Sequence, residues 1–104
     1  MRYSLDHLND KVQAWAIERK IYKNSTAVAQ TMKLVSEVGE LADNVAKGRN
    51  VQDDIGDCLV CLINIARLSN TDIEACLNHA WNDIKDRKGY VNELGVFVKE
   101  GDNG

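Results

Sequence analysis

Proline is absent from the whole chain, so no position is barred from a helix interior by a missing N–H or a fixed φ. No apolar run approaches membrane length. The longest, residues 58–66, is broken by Asn64 and falls well short of the ~20 residues a bilayer span needs. The opening stretch, MRYSLDHLND, has no apolar core of signal-peptide length, so the cytoplasm is the expected location. Cysteine is scarce, three in 104 residues, and without an export signal all three are expected as reduced thiols. An excess of positive charge is missing too. The net charge of −3 excludes a protein that coats duplex nucleic acid, which needs a basic face. Neither a nucleic acid nor a membrane is therefore expected as a partner. A small acidic protein can still hold a polyphosphate where metal ions neutralise the site locally. No internal repeat, low-complexity segment or composition shift marks a boundary, so residues 1–104 are expected to form one domain.

What is present is helical periodicity. Leu5, Leu8, Val12 and Trp15 recur at three- and four-residue steps and mark a first amphipathic helix, capped by Ser4 or Asp6 and fading near Arg19-Lys20. Residues 22–25 read as a loop, with Ser25 or Thr26 as the N-cap of a second helix. That helix carries Val28, Leu34, Val35, Val38, Leu41, Ala42 and Val45 on its expected inner face, and Gly48 stops it. A third helix starts near Asn50 or Val51. From residue 58 to 66 it is apolar nearly all round, the mark of a central, most buried element. Thr71-Asp72-Ile73-Glu74 has the capping-box form and opens a fourth helix through Leu77, Ala80, Trp81 and Ile84 to residues 85–88, where Gly89 ends it. Beyond it, Val96-Phe97-Val98 suggests an extended arm or small hairpin, and residues 101–104 should be mobile. The expected class is all-α, a four-helix bundle with a short extended C-terminal arm. Four short helices, one nearly all apolar, need more cover than a monomer supplies, so an oligomer is expected.

The acids are patterned as well. Glu37/Glu40 and Asp54/Asp57 are pairs three residues apart within helical stretches. Three residues turn an α-helix by about 300°, so each pair presents two carboxylates within about 60° on one face. The turn Gly48-Arg49-Asn50 folds the two helices back on each other and can bring four carboxylates to one point. Without a cation they would repel strongly, whereas oxygen-rich acidic sites suit Mg²⁺ or Mn²⁺. The plain alternative is a solvated face for Glu37 and Glu40 and a helix-dipole role for the aspartates, each worth roughly 0.3–1 kcal/mol; Asp53 is read that way. Two features weigh against it for the pairs. Like charges at this spacing destabilise an isolated helix by a few tenths of a kcal/mol. Each pair also encloses a glycine, Gly39 or Gly56, which costs about 1 kcal/mol of helix stability against alanine and lets a helix or ligand approach closely. On pattern alone, metal site and solvated face stand about equal.

These acids carry a resemblance. ExxE, a spacer and a second acidic pair ending in Asp form the signature of the all-α nucleotide pyrophosphohydrolases, and the chain resembles their MazG-like branch over roughly residues 15–99. Beyond the acids, the similarity includes Gln30-x-x-Lys33-Leu34, the blocks SEVGELAD and DDIGDCLVCL, and the ending Lys85-x-Arg87. The resemblance implies a fold built around four helices, assembled as homodimers or homotetramers. It implies a Mg²⁺-dependent enzyme (Mn²⁺ as the substitute) that hydrolyses nucleoside triphosphates to nucleoside monophosphate and pyrophosphate. Carried over residue by residue, Glu37, Glu40, Asp54 and Asp57 are the metal ligands. Glu37 or Glu40 is then the catalytic base that takes a proton from the attacking water. One departure is Asp54, where the family usually has Glu. The charge is kept, but the reach is shorter by one methylene, which leaves room for a bridging water.

Other residues surround these four. Lys33, Glu37, Glu40, Asn44 and Lys47 make one helical stripe. Lys33 either binds substrate phosphate, as the resemblance implies, or pairs with Glu37 on the helix surface. Lys85, Arg87 and Lys88 end the fourth helix, where cations are favourable in any case. Arg87 matches a family arginine, and its planar fork suits phosphate oxygens; Lys85 is a second substrate contact and Lys99 a weaker one. Asn64 lies on nearly the same face as Asp57, and a buried amide needs partners. It bonds in the core or across a subunit interface, or meets the nucleotide. Trp15 and Trp81 read as core before stacking platforms, with Trp15 the better wall for a base pocket. Cys58-x-x-Cys61 with Cys76-x-x-His79 has the spacing of a Cys₃His zinc site. Both pairs, however, fall inside expected helices, and Cys58 and Cys61 are flanked by core residues. Two readings therefore compete with the hydrolase: a non-catalytic helical dimerisation module stabilised by zinc, and a nucleotide-binding regulator without turnover. Di-iron chemistry lacks its Glu-x-x-His.

Overall fold

A computed structural model describes residues 1–101; the last three residues of the expected mobile tail lie outside the described residues. The described elements are α1 (Leu5–Glu18), α2 (Ile21–Asn24), α3 (Ala27–Ala46), α4 (Gln52–Leu68), α5 (Ile73–Ile84), β1 (Gly89–Val91) and β2 (Phe97–Lys99). They fall into two compact units, Met1–Ile73 and Glu74–Gly104. Among the described residues no helix is long and apolar enough to cross a membrane.

In the first unit the caps sit where the sequence puts them. Ser4 Oγ accepts from the His7 N–H at 3.1 Å and opens α1, and Thr26 Oγ1 accepts from the Ala29 N–H at 3.0 Å and opens α3. Each satisfies one of the unpaired donors of a helix's first turn. Residues 21–24 are not a loop but a single helical turn, α2. Lys20 takes the left-handed conformation at φ 60, and the chain restarts with Asn24 N–H to Lys20 O at 3.0 Å and Ser25 N–H to Ile21 O at 2.8 Å. One turn is too short to show a period, which is why the sequence hides it.

Gly48 ends α3 with φ +67. Its N–H bonds Val45 O at 3.1 Å, and the Arg49 N–H reaches back to Asn44 O at 2.9 Å. This pair of bonds is the Schellman closure, which favours glycine at the left-handed position. It turns the chain directly into α4, so α3 and α4 form a hairpin of helices.

The expected inner face of α3 divides in two. The stripe drawn out of solvent is Ala27, Gln30, Leu34, Glu37, Leu41 and Asn44, whereas Val28, Val35, Val38 and Val45 stay 47–74% exposed. A single packed helix covers one stripe of its neighbour, and the stripe α3 turns inward is half polar, with Gln30, Glu37 and Asn44 beside Leu34 and Leu41. Nor is α4 buried all round: Asp54, Cys58, Cys61, Ile63, Asn64 and Ala66 are buried, together with Ala16 of α1, while Ile55, Leu59 and Leu62 remain 39–47% exposed.

In the second unit α5 stops at Ile84, short of the expected 85–88. Its last turn is closed by Lys85 N–H to Trp81 O and Arg87 N–H to Ile84 O, both at 2.9 Å. Gly89 is not the helix stop; it opens β1, where an added Cβ would strike the Val98 carbonyl and the Phe97 ring. The strands pair antiparallel with Gly89 opposite Lys99, Tyr90 opposite Val98 and Val91 opposite Phe97. Asn92 Oδ1 ties the connecting turn by accepting from the N–H groups of Leu94 and Val96, each at 3.0 Å. Of the two forms expected for the arm, the hairpin is the one adopted.

Candidate metal centre

Glu37 and Glu40 ride on α3, Asp54 and Asp57 on the first two turns of α4, and the Gly48 reversal lays these segments side by side. One carboxylate of each pair is drawn in between the helices. The Glu37 side chain retains 15% exposure and Asp54 7%, whereas Glu40 is exposed and Asp57 half-buried. Asp54 Oδ2 accepts from Asn44 Nδ2 at 3.0 Å. Lys33 Nζ stands 3.7 Å from Glu37 Oε1, so the ion pair expected as the plain reading of Lys33 is formed.

The four charges act on one another. Glu40 is pushed above the usual carboxylate range first by the charge of Glu37, then by desolvation, by a side-chain hydrogen bond with Glu37, and by Asp54 and Asp57. Asp57 is raised first by desolvation, then by Asp53, Glu37 and Asp54, against an opposing pull from Lys33. Like charges held together disfavour the ionised form, and a divalent cation relieves that penalty. The donor set is all carboxylate oxygen, which fits Mg²⁺ or Mn²⁺. Among the described residues no three His, Cys, Asp or Glu side chains close into a cage by themselves. Mg²⁺ characteristically keeps several waters and uses a few carboxylates plus substrate phosphates, so an all-protein cage is not what it requires.

A concavity of about 460 Å³ opens beside Asp57, lined by Asn50, Gln52, Asp53, Gly56 and Asp57. The enclosed glycines do not serve a close approach between α3 and α4, since a Cβ at Gly39 or Gly56 would meet nothing within 4 Å. Both positions face open space.

The remaining candidates are placed differently. Asn64 is 2% exposed, and its Oδ1 accepts from Tyr22 Oη at 2.7 Å. Its buried amide thus has a core partner. Trp15 is not core: it is 43% exposed, with the Arg19 guanidinium 4.8 Å over its ring. Trp81 is 55% exposed. Lys85 and Arg87 belong to the second unit, where Arg87 Nη2 pairs with Asp83 Oδ2 at 2.7 Å. Cys58 and Cys61 are unpaired, buried thiols in α4. Burial first and Glu37 among the nearby charges push both above the ordinary thiol range, Lys33 opposing at Cys61. They are protonated core residues rather than thiolate ligands.

Sequence reasoning missed two polar partnerships. The bond between Tyr22 and Asn64 joins residues 42 apart, too far for any local pattern. Asn44 lay on the acidic stripe, but nothing in the spacing aimed its amide at Asp54.

Residues 26–91, which include all four acids, match the family model of the MazG nucleotide pyrophosphohydrolase domain. Over 70 residues the chain is 36% identical to an uncharacterised 18.2 kDa protein of the rep–hol intergenic region of Haemophilus phage HP1 (strain HP1c1). That alignment takes in 65% of this chain and 43% of the phage protein, so the chain spans less than half the length of this relative. The fold is similar to that of a cyanophage S-2L MazG-like pyrophosphohydrolase solved with dGDP and three catalytic Mn²⁺ ions per active site. The TM-score is 0.71 at 16% identity, over 94% of this chain and 98% of that one.

Proposed function

The chain belongs to the MazG nucleotide pyrophosphohydrolase family, and we propose that it hydrolyses nucleoside triphosphates to nucleoside monophosphate and pyrophosphate. The observation that carries this reading is the pairing of ExxE on α3 with DxxD on α4, four carboxylates whose charges bear on one another. Glu37, Glu40, Asp54 and Asp57 would hold Mg²⁺ or Mn²⁺, in keeping with the Mn²⁺ and dGDP bound by the cyanophage protein. A divalent ion there supplies charge neutralisation to the polyphosphate and lowers the pKa of a bound water. Glu40 has its proton affinity raised by Glu37, which suits it to accept the proton of the attacking water. Lys33, already beside Glu37, turns its ammonium to substrate phosphate. Arg87 and Lys85, both cations of the second unit, are kept as proposed substrate-phosphate ligands on the strength of the family pattern. Trp15, with a face left in solvent, is the candidate wall for the base. Asn64 is reassigned to holding Tyr22, because its oxygen is already used.

We propose further that the working form is a homodimer or homotetramer in the cytoplasm. Val28, Val35, Val38 and Val45 of α3 and Ile55, Leu59 and Leu62 of α4 leave apolar surface that a second copy would cover. The test is pyrophosphate release across all ribo- and deoxyribonucleoside triphosphates, with and without Mg²⁺, run alongside E37A and D57A. Release that needs metal and is lost in both variants supports the assignment. Full Mg²⁺-dependent turnover by D57A would sink it.

A further inference from the structure

The geometry points to Asn44 as a positioning residue for Asp54, itself oriented by Arg49; this deepens the metal-site reading above and rests on it. Asp54 is 7% exposed, and a buried carboxylate needs hydrogen-bond donors. Asn44 Nδ2 donates to its Oδ2 at 3.0 Å. An asparagine amide can present either end, but here the choice is made for it. Arg49 Nη1 lies 3.5 Å from Asn44 Oδ1, and a guanidinium has only donors to offer. Flipping the amide would set donor against donor at Arg49 and oxygen against carboxylate at Asp54. At 3.5 Å the Arg49 bond is long, so it acts by selecting an orientation more than by its strength.

Arg49 is where it is because of the turn. The Schellman closure that Gly48 permits bonds the Arg49 N–H to Asn44 O at 2.9 Å. The reversal that brings α4 back along α3 therefore also ties Arg49 to Asn44, backbone and side chain alike. With Oδ2 of Asp54 engaged by the amide, Oδ1 is left for a cation. Aspartate has a shorter reach than glutamate, so its carboxylate depends more on being held in one orientation. Hydrogen-bond partners of metal-binding carboxylates characteristically affect metal affinity by 10–100-fold.

The test is Mn²⁺ binding to the nucleotide-free protein, followed by the electron paramagnetic resonance signal of free Mn²⁺, with circular dichroism of the metal-free protein as the folding check. N44A should keep its helices and bind Mn²⁺ about 10–100-fold more weakly. The double variant N44A/D54E should recover much of that loss, because the longer carboxylate does not depend on the amide. R49A changes an exposed side chain and leaves the backbone bond from Arg49 N–H to Asn44 O available. It should weaken Mn²⁺ binding by about 2–5-fold, the range of one modest hydrogen bond. A folded N44A that binds Mn²⁺ within about twofold of wild type overturns the proposal. If N44A does not fold, an R49A protein with unchanged Mn²⁺ affinity overturns it instead. Wild-type protein that binds no Mn²⁺ either alone or with a non-hydrolysable nucleoside triphosphate removes the metal-site reading itself, whereas wild-type binding with no effect at position 44 removes the role of Asn44 alone.

Discussion

Replacing Tyr22 by phenylalanine isolates one hydrogen bond in the first unit. Tyr22 Oη donates to Asn64 Oδ1 at 2.7 Å, and Asn64 is 2% exposed, so the acceptor has no water to turn to. The ring is kept in Y22F, and so is its place under the Arg67 guanidinium, 5.1 Å away. What is lost is the bond, and what remains is a stranded buried oxygen, together worth about 1–2 kcal/mol with the tyrosine itself only part-buried. For a chain of this size that is a fall in Tm of about 5–15 °C. The assay is thermal and urea denaturation by circular dichroism at fixed protein concentration, which holds constant any contribution of the proposed assembly to apparent stability. N64L alone should destabilise, while Y22F/N64L, with both polar partners gone, should be no worse than the worse single variant. The cycle should return a coupling of about 1 kcal/mol. Burial raises the Tyr22 hydroxyl pKa, against an opposing pull from Arg67. Its stabilisation is therefore fully present below the unfolded value and lost as pH rises through the higher folded one. The margin of wild type over Y22F should shrink only at strongly alkaline pH. A Y22F protein that melts within about a degree of wild type, or strictly additive effects, refutes the reasoning. Pyrophosphate release that falls in Y22F without loss of stability would return Asn64 to the substrate.

Further expectations follow from single features. Glu40 and Asp57 bind protons more tightly in the folded chain, so their contribution is fully present below the ordinary carboxylate range and lost as pH rises through their raised values. The metal-free protein should melt higher on mild acidification from neutrality, and saturating Mn²⁺ should flatten that trend in a pH series of melts. Lys20 holds φ 60: K20G should leave the melting temperature unchanged or raised, while K20V, β-branched and poorly suited to that region, should cost about 1–2 kcal/mol by urea denaturation. G89A forces a Cβ into the Val98 carbonyl and the Phe97 ring. Nuclear Overhauser contacts between Tyr90 and Val98 should vanish while the helical circular dichroism is retained.

Much of the first unit could be read from neighbours in the chain. Ser4 and Thr26 cap their helices because a hydroxyl three residues from a free N–H finds it without help from the rest of the fold. Gly48 ends α3 for an equally local reason. The same range explains the errors. Gly89 followed a helical pattern and read as its stop, but its role lies opposite Lys99, across the hairpin. The single turn of α2 has no period to detect.

By itself, then, the sequence determined which stretches coil, where they start, and that Glu37 with Glu40 and Asp54 with Asp57 share a face, because a helix repeats every 3.6 residues wherever it sits. Only the tertiary structure decided that the half-polar stripe of α3 with Leu34 and Leu41 is drawn out of solvent while the valine stripe stays exposed. It also decided that Glu37 and Asp54 turn inward while Glu40 stays exposed, and that Asn44 and Tyr22 are the partners of Asp54 and Asn64. Those choices depend on surfaces meeting across distance in the chain, where packing together with satisfied hydrogen bonds, and not hydrophobicity alone, selects the inward stripe.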